Sequence, residues 1–388
     1  MPGRIPYLNS RLQGYTSTIF TEMSALAVAT GSINLGQGFP DTDGPEEVKE
    51  AAIAAIRAGH NQYPPGPGIP ELRRAVSRHQ VEHYGLEYDP DREVLVTTGA
   101  TEAIAASILS LCRPGDEVLV FEPYYDAYAA CIDLAGATRR AVPLRPPGWS
   151  FDPADLASAM TPRTRLLVLN SPHNPTGKVF ARPELEAIAR LCVERDILVV
   201  TDEVYEHLIF EGEHVPIATL PGMRERTVTV SSGGKSFGLT GWKVGWACAP
   251  PALLGAVRAA KQFLTYVSGG PFQHAIARAL EAGTRLTDPI RGALEHQRDV
   301  LCDGLAGLGF DVYRPAATYF AITDIRSIGH DDGVEFCRAL PGRCGVVAIP
   351  TLDFYDHREA GRSLVRWAFC KRPSVLEEAL TRLKSLPA

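Results

Sequence analysis

The stretch "SSGGKSFGLTGW" (231–242) places a lysine just after a β-branched run and two glycines. An amine crowded there by cationic and apolar groups has a depressed pKa and can form a Schiff base with a carbonyl. Lys235 is therefore the first candidate for chemistry. Taken alone it fits a solvated lysine in a loop just as well, since Ser/Gly clusters between periodic segments are ordinarily loops. Residues elsewhere shift that balance. Asp202 closes the apolar run "ILVVTD", and a carboxylate behind apolar walls needs a cationic partner. Gly99, Ala100 and Thr101 close "EVLVTTG" and open a helical pattern. A helix start of that kind offers free N–H groups and a positive dipole end to a phosphate. Ser232 can donate a hydroxyl to the same phosphate, and Lys243, eight residues past Lys235, adds charge. Tyr125 and Tyr205 offer a flat stacking face and a phenol.

Each of these has a plainer explanation: a tight turn at Gly99, a helix cap at Thr101, an Asn-Pro and Gly turn in "NSPHNPTG" (170–177). They act together only if one sheet carries them. The apolar runs at 93–99, 117–123, 164–172, 197–205, 226–232 and 244–250 are short and nearly continuous. Helical patterns such as "TEAIAASILSLC" (101–112) and "RPELEAIARLCVERD" (182–196) alternate with them. This alternation predicts an α/β fold with a mostly parallel, doubly wound sheet buried on both faces. The short link 233–243 lets one of the last two strands run antiparallel. In such a sheet ligands bind beyond the carboxyl ends of the strands, where the polar clusters fall. A phosphate site, a buried carboxylate, an aromatic face and a nucleophilic lysine together fit pyridoxal 5′-phosphate. The aspartate would keep the pyridine nitrogen protonated and the ring a better electron sink.

The C-terminal third changes character. A long helix pattern at 293–309 precedes strand-like runs at 317–323, 345–350 and 364–370, which predict a smaller α+β domain. The expected division is an irregular N-terminal segment (1–45) that covers the active site, a large cofactor-binding domain (46–280) and a small domain (281–388). Composition is that of a globular chain, with 45% hydrophobic and 22% charged residues. The net charge of −6 argues against a nucleic-acid partner. The start "MPGRIPYLNSRLQG" has no apolar signal core and no run is long enough to cross a bilayer, so a cytoplasmic protein without membrane contact is expected. The eight cysteines form no CxxC pair and read as reduced. The ten histidines show no metal-ligand spacing of the HExxH kind, so no metal is expected and most should lie at the surface.

The motifs "NLGQGFPD" (34–41), "NQYPPGPG" (61–68), "VTTGATEAI" (96–104), "EPYYDAY" (122–128), "NSPHNPTG", "TDEVYEHL" (201–208), "SSGGKSFGLTGWKVGW" (231–246) and "LVRWAFCK" (364–371) span nearly the whole chain. In combination they resemble the class I/II aminotransferases of pyridoxal-phosphate fold type I. Within these they are most similar to the N-succinyldiaminopimelate branch, then to the kynurenine/glutamine-type and methionine enzymes. The resemblance implies a Schiff base on Lys235, which then shuttles a proton, with Asp202 on the ring nitrogen. Asn174 and Tyr205 would bond the ring oxygen, and Tyr125 would stack on the ring. Gly99, Ala100, Thr101, Ser232 and Lys243 would hold the phosphate. Arg366, with Gly36 and Asn174, would take the substrate carboxylate, a task suited to a guanidinium fork. Tyr63 would reach the phosphate of a neighbouring subunit, which makes a homodimer part of the machinery.

The implied reaction moves an amino group from a donor, glutamate, to a 2-oxo acid in two ping-pong steps. The expected acceptor is N-succinyl-2-amino-6-ketopimelate. Methionine, aromatic or kynurenine-type substrates are the alternative, as is another reaction of the same cofactor such as C–S lysis, cyclisation or oxidation. Two departures bear on substrate. Small hydroxyl residues stand at Thr16–Thr18, where many relatives carry an aromatic cover, and Ser268-Gly269-Gly270 replaces bulkier residues. Both predict a roomier, more polar side-chain pocket.

Overall fold

The computed structural model describes residues 5–386. Residues 1–4 of the N-terminal segment and 387–388 of the C-terminal one lie outside the described residues. The strands, in chain order, are β1 (Ile33–Asn34), β2 (Val94–Thr98), β3 (Glu117–Glu122), β4 (Thr138–Pro143), β5 (Thr164–Asn170), β6 (Leu198–Asp202), β7 (Thr227–Ser232) and β8 (Val244–Cys248). They continue with β9 (Asp311–Tyr313), β10 (Phe320–Asp324), β11 (Val346–Val347), β12 (Ile349–Pro350) and β13 (Leu364–Ala368). Seven of them form one sheet in the order β2-β8-β7-β6-β5-β3-β4. All its pairings are parallel except those of β8, which runs antiparallel to both β2 and β7. A second sheet has the order β12-β13-β10-β9, and β1 pairs with β11.

Alternate strand residues feed opposite faces, as the two-residue period requires. Leu95, Val118, Val120, Leu166, Val168, Val200 and Val228 pack against α4 (Gly99–Leu111) and α5 (Asp126–Ala135) through Ala103, Ile104 and Ile132. Leu119, Leu167 and Val199 pack on the other face against Leu185 and Ile188. Val94, Val96 and Trp246 meet Ala52 of α2 (Glu46–Arg57), Leu72 of α3 (Pro70–Tyr84) and Ile276. Burial on both faces is why these strands read as continuous apolar runs.

Two expectations need correction. The N-terminal segment is not irregular throughout: Ile19–Thr30 is a helix, α1, capped by Thr18, whose side chain accepts from the Thr21 N–H. It buries Ile19, Met23 and Ala27 but leaves Val28 exposed, so no clean apolar stripe marks it. Strand β4, "TRRAVP", is absent from the apolar series because it is a half-exposed edge strand. Three of the ten histidines, His79, His173 and His214, are buried, and the other seven are partly or fully exposed. All eight cysteines are unpaired and buried. No helix among the described residues is long and apolar enough to cross a membrane.

Candidate active site

The carboxyl ends of β2, β5, β6 and β7 are Thr98, Asn170, Asp202 and Ser232, and they share one edge of the large sheet. Because β8 runs the other way, its first residue, Val244, pairs with Thr98, and Gly245 pairs with Ser232. Lys243, immediately before β8, therefore reaches the edge at which its neighbours end. A cavity of about 340 Å³ opens there. Its wall includes Gly99, Ala100, Thr101, Tyr125, Asn174, Asp202, Tyr205, Ser232, Lys235, Lys243 and Arg366. Two of the expected residues stand apart. Gly36 enters only through its carbonyl, which accepts from Arg366 Nη2 at 2.9 Å. Tyr63 lies away from the cavity on the surface, 81% exposed.

At one end, α4 begins at Gly99, whose φ of 72° is in the left-handed region that glycine tolerates. A Cβ on Gly99 would stand 3.2 Å from Lys243 Nζ. A Cβ on Gly245 would meet the Gly99 carbonyl carbon at 2.6 Å and the Ala100 nitrogen at 2.8 Å. Two glycines thus let the strand and the helix start close up. Glu102 fixes that start by accepting the Thr98 N–H at 2.6 Å. The result is a helix N-terminus with an ammonium and a serine hydroxyl beside it, a donor set for a phosphate.

Lys235 sits in a single turn, Gly233–Ser236, after β7. Gly233 is required by packing, since a Cβ there would stand 2.8 Å from Ile276 Cδ1. Lys235 Nζ donates to the Tyr319 hydroxyl at 2.7 Å, and that hydroxyl donates to the Gly38 carbonyl at 2.7 Å. Burial lowers the amine's pKa to about 8, with Lys243 and Arg366 adding to the shift and Asp202 opposing it. Asp202 accepts from the Tyr128 hydroxyl at 2.6 Å and from the Val204 N–H at 3.3 Å. Burial raises its pKa while the Tyr128 bond restrains the rise. Asn170 braces the loop: it donates to the Asp202 and Pro172 carbonyls and accepts the Asn174 N–H at 2.7 Å.

Arg366, on β13, is buried in an aromatic cage. Its guanidinium carbon lies 4.0 Å from the Phe320 ring centre, 4.9 Å from Phe20 and 5.5 Å from Phe354. It donates to Asn174 Oδ1 at 3.2 Å, and its Nε has no acceptor among the described residues. Burial pulls its pKa to about 10, so it stays cationic at neutral pH. A buried cation with an unpaired N–H is costly until an anion joins it.

Several wall and support residues escaped sequence reasoning. Phe20, Gln37, Gly38, Asn170 and Phe320 line the cavity, and Tyr128 and Tyr319 hold its two central charges. Phe20 overturns the expectation of an N-terminal stretch without an aromatic wall; Thr18 two residues earlier is a helix cap. Ser268–Gly270 line no part of the cavity: Ser268 accepts from Gln273, and a Cβ on Gly270 would stand 3.1 Å from the His60 carbonyl oxygen.

A doubly wound sheet with an amine, a buried carboxylate and a phosphate cradle at its carboxyl edge defines an enzyme built around a phosphorylated aldehyde cofactor with a basic ring nitrogen. The groups present fit pyridoxal phosphate at both ends: among the described residues Asp202 is bonded only to the neutral Tyr128 hydroxyl and Val204 N–H, and the α4 start offers N–H donors beside Lys243 and Ser232. Residues 30–383 match the family Aminotransferase class I and II, and the chain belongs to it. It is 51% identical over 388 residues to a probable N-succinyldiaminopimelate aminotransferase of Mycobacterium tuberculosis, covering 97% of this chain and 98% of that one. A methionine aminotransferase of Escherichia coli is 38% identical over 378 residues, with 97% and 98% covered. The solved structure of N-succinyldiaminopimelate aminotransferase from Mycobacterium tuberculosis superposes with a TM-score of 0.96 at 52% identity, over 97% of this chain and 99% of that one. The protein is a pyridoxal-phosphate-dependent aminotransferase of fold type I.

Proposed function

We propose that the enzyme transfers the amino group of glutamate to N-succinyl-2-amino-6-ketopimelate. The observation that carries the amino-acid half of this reading is Arg366, buried with a free Nε in the cavity that holds Lys235. The choice of acceptor is supported by the relatives, whose identity falls from 51% for the N-succinyldiaminopimelate enzyme to 38% for the methionine enzyme.

In this reading Arg366 and Asn174 grip the substrate carboxylate and turn its Cα toward Lys235. Bound pyridoxal phosphate supplies an aldehyde for the lysine and a ring that accepts electron density from Cα. Lys235 would take the Cα proton on its Nζ, a step for which a pKa lowered to about 8 is suited. Tyr319 receives the Lys235 N–H and so holds the amine over the cavity floor. Ala100, Thr101, Ser232 and Lys243 would hold the phosphate. Asp202 would favour a positive charge on the ring nitrogen, with Tyr205, Asn174 and Tyr125 as the residues that would hold the ring. A homodimer in the cytoplasm completes the reading, with Tyr63 of each subunit serving the other's phosphate.

The test is a half-reaction screen. Enzyme converted to its amino form by glutamate is offered N-succinyl-2-amino-6-ketopimelate, 2-oxo-4-methylthiobutanoate and phenylpyruvate. A kcat/KM at least about tenfold higher for the succinylated acid is expected, about 1.4 kcal/mol of transition-state preference. Equal values would remove the acceptor assignment, and no conversion by glutamate would remove the donor.

A further inference from the structure

A cluster of imidazoles lies outside the active site. His79 and His83 stand one turn apart on α3, so their rings share a face. His207 faces them from the turn that follows β6. One nitrogen from each ring falls within 4.8 Å of the others. The ring centres are separated by 4.5 Å (His79–His83), 4.9 Å (His79–His207) and 5.1 Å (His83–His207). Three imidazoles on one tetrahedral zinc, at about 2.05 Å from each nitrogen, would have ring centres about 5 Å apart. The ring centres thus already stand near the separation one ion requires.

The surroundings fit as well. Glu206 is buried with its Oε2 4.0 Å from His79 Nε2. Its close contacts are the hydroxyls of Tyr84 and Ser231, which are neutral donors. The neighbouring acid, Glu203, has its own imidazole in His214 at 2.9 Å. Glu206 therefore holds a carboxylate beside the cluster with no lysine or arginine bonded to it among the described residues. Gln80, wholly buried, leaves its Oε1 without a donor among the described residues, and its Nε2 lies 3.5 Å from His79 Nδ1. A half-turn of that amide would bring an acceptor to an Nδ1–H of His79. Such a contact turns the Nε2 lone pair of a metal-binding histidine toward the ion.

We propose that His79, His83 and His207 bind one zinc(II) ion, with Glu206 supplying nearby negative charge, Gln80 orienting His79 and water filling the fourth position. The Nε2 atoms of His79 and His207 are 2.7 Å apart and share a proton. On binding, that proton moves to Nδ1 of the ring that carries it, and the two nitrogens open to about 3.3 Å, the tetrahedral spacing. The ion would clasp α3 to the turn that carries Tyr205, without touching the reacting atoms.

The experiment uses untagged holoenzyme stripped with a chelator, loaded with zinc sulfate, desalted and assayed for metal. About one zinc per chain is expected, with a visible cobalt(II) ligand-field spectrum when cobalt replaces zinc. His83→Gln and His207→Gln should each weaken zinc binding by at least about tenfold. His60→Gln, which alters a histidine pair elsewhere, should leave binding unchanged. His83 is the solvent-facing member, so its variant is the one expected to fold as wild type does. A thermal midpoint that rises with zinc in wild type and not in His83→Gln would support the clasp. Less than about 0.2 zinc per chain in wild type, or full retention in both variants, would overturn the site.

Discussion

Tyr128 and Lys235 carry the two most informative residue-scale effects. At a pKa of about 8 roughly one Lys235 amine in ten is neutral at pH 7, against about one in three thousand at the ordinary value. Burial thus supplies most of the nucleophile's activation. Tyr128 acts on the opposite charge, since its hydroxyl is the one side-chain donor bonded to Asp202 among the described residues. A hydrogen bond to a charged group contributes about 1.5–3 kcal/mol. Tyr128→Phe should therefore lower kcat/KM for glutamate by about tenfold or more. The sign of its pH effect is fixed. The Tyr128 bond lowers the Asp202 pKa, so its loss raises it, and the acid limb of the pH–rate profile should move to higher pH. An acid limb that stays in place would show that Tyr128 only fills space. Lys235 and Asp202 were legible in the sequence because a charge that follows an apolar run is conspicuous, and Arg366 because it interrupts the otherwise apolar strand "LVRWAFC". Tyr128 in "DAYAACIDLA" and Tyr319 in "ATYFAIT" were not, because an aromatic residue in an apolar segment reads as core.

At the scale of elements, the phosphate cradle depends on how closely β8 packs on the start of α4. Gly245→Ala would put a methyl group 2.6 Å from the Gly99 carbonyl carbon and 2.8 Å from the Ala100 nitrogen. Both are backbone atoms, so the strand or the helix start must shift. Overpacking of this kind costs about 1–3 kcal/mol. Titration of the apoenzyme with cofactor should show affinity falling by about tenfold or more, alongside a lower thermal midpoint. A normal affinity with only a lowered midpoint would place the effect in the core. The six apolar runs predicted strands β2, β3 and β5 to β8 because burial on both faces leaves little else in the sequence. The edge strand β4 and the helix α1 lacked that signature: one face of β4 is open, and apolar residues of α1 point both inward and to solvent. The path of Phe20 into the cavity was hidden for the same reason.

For the whole molecule, a group of exposed large apolar side chains is the outstanding surface feature. Tyr63, Phe263, Leu264 and Tyr266 are all exposed, and the rings of Tyr63 and Tyr266 meet edge to face at 5.6 Å. Thr265, between them, donates to Glu102, the residue that fixes the α4 start. In the proposed dimer this patch would be covered, and Ser268–Gly270 would meet the partner rather than this chain's own cavity. Sedimentation of holoenzyme should give twice the 42.0 kDa chain mass. Tyr63→Phe should keep that mass yet weaken cofactor binding by about tenfold, the loss of one charge-assisted hydrogen bond. A fully active monomer would remove both claims.

The reversed direction of β8 has a consequence for how the sequence can change. Lys243 reaches the proposed phosphate end because the link from Ser232 turns the chain round and brings it back into β8 antiparallel to β7. Deleting one residue between Gly238 and Trp242 would slide β8 by one position along β7 and β2. A one-residue slip turns every side chain of a strand to the opposite face, so Trp246 would leave the core that Val96 and Ile276 now share with it. The link therefore works as a ruler. Its exposed position Gly241 can vary, whereas Gly233, Lys235 and the buried Phe237 and Leu239 cannot, and its length is tied to the depth at which the ammonium group stands above the sheet.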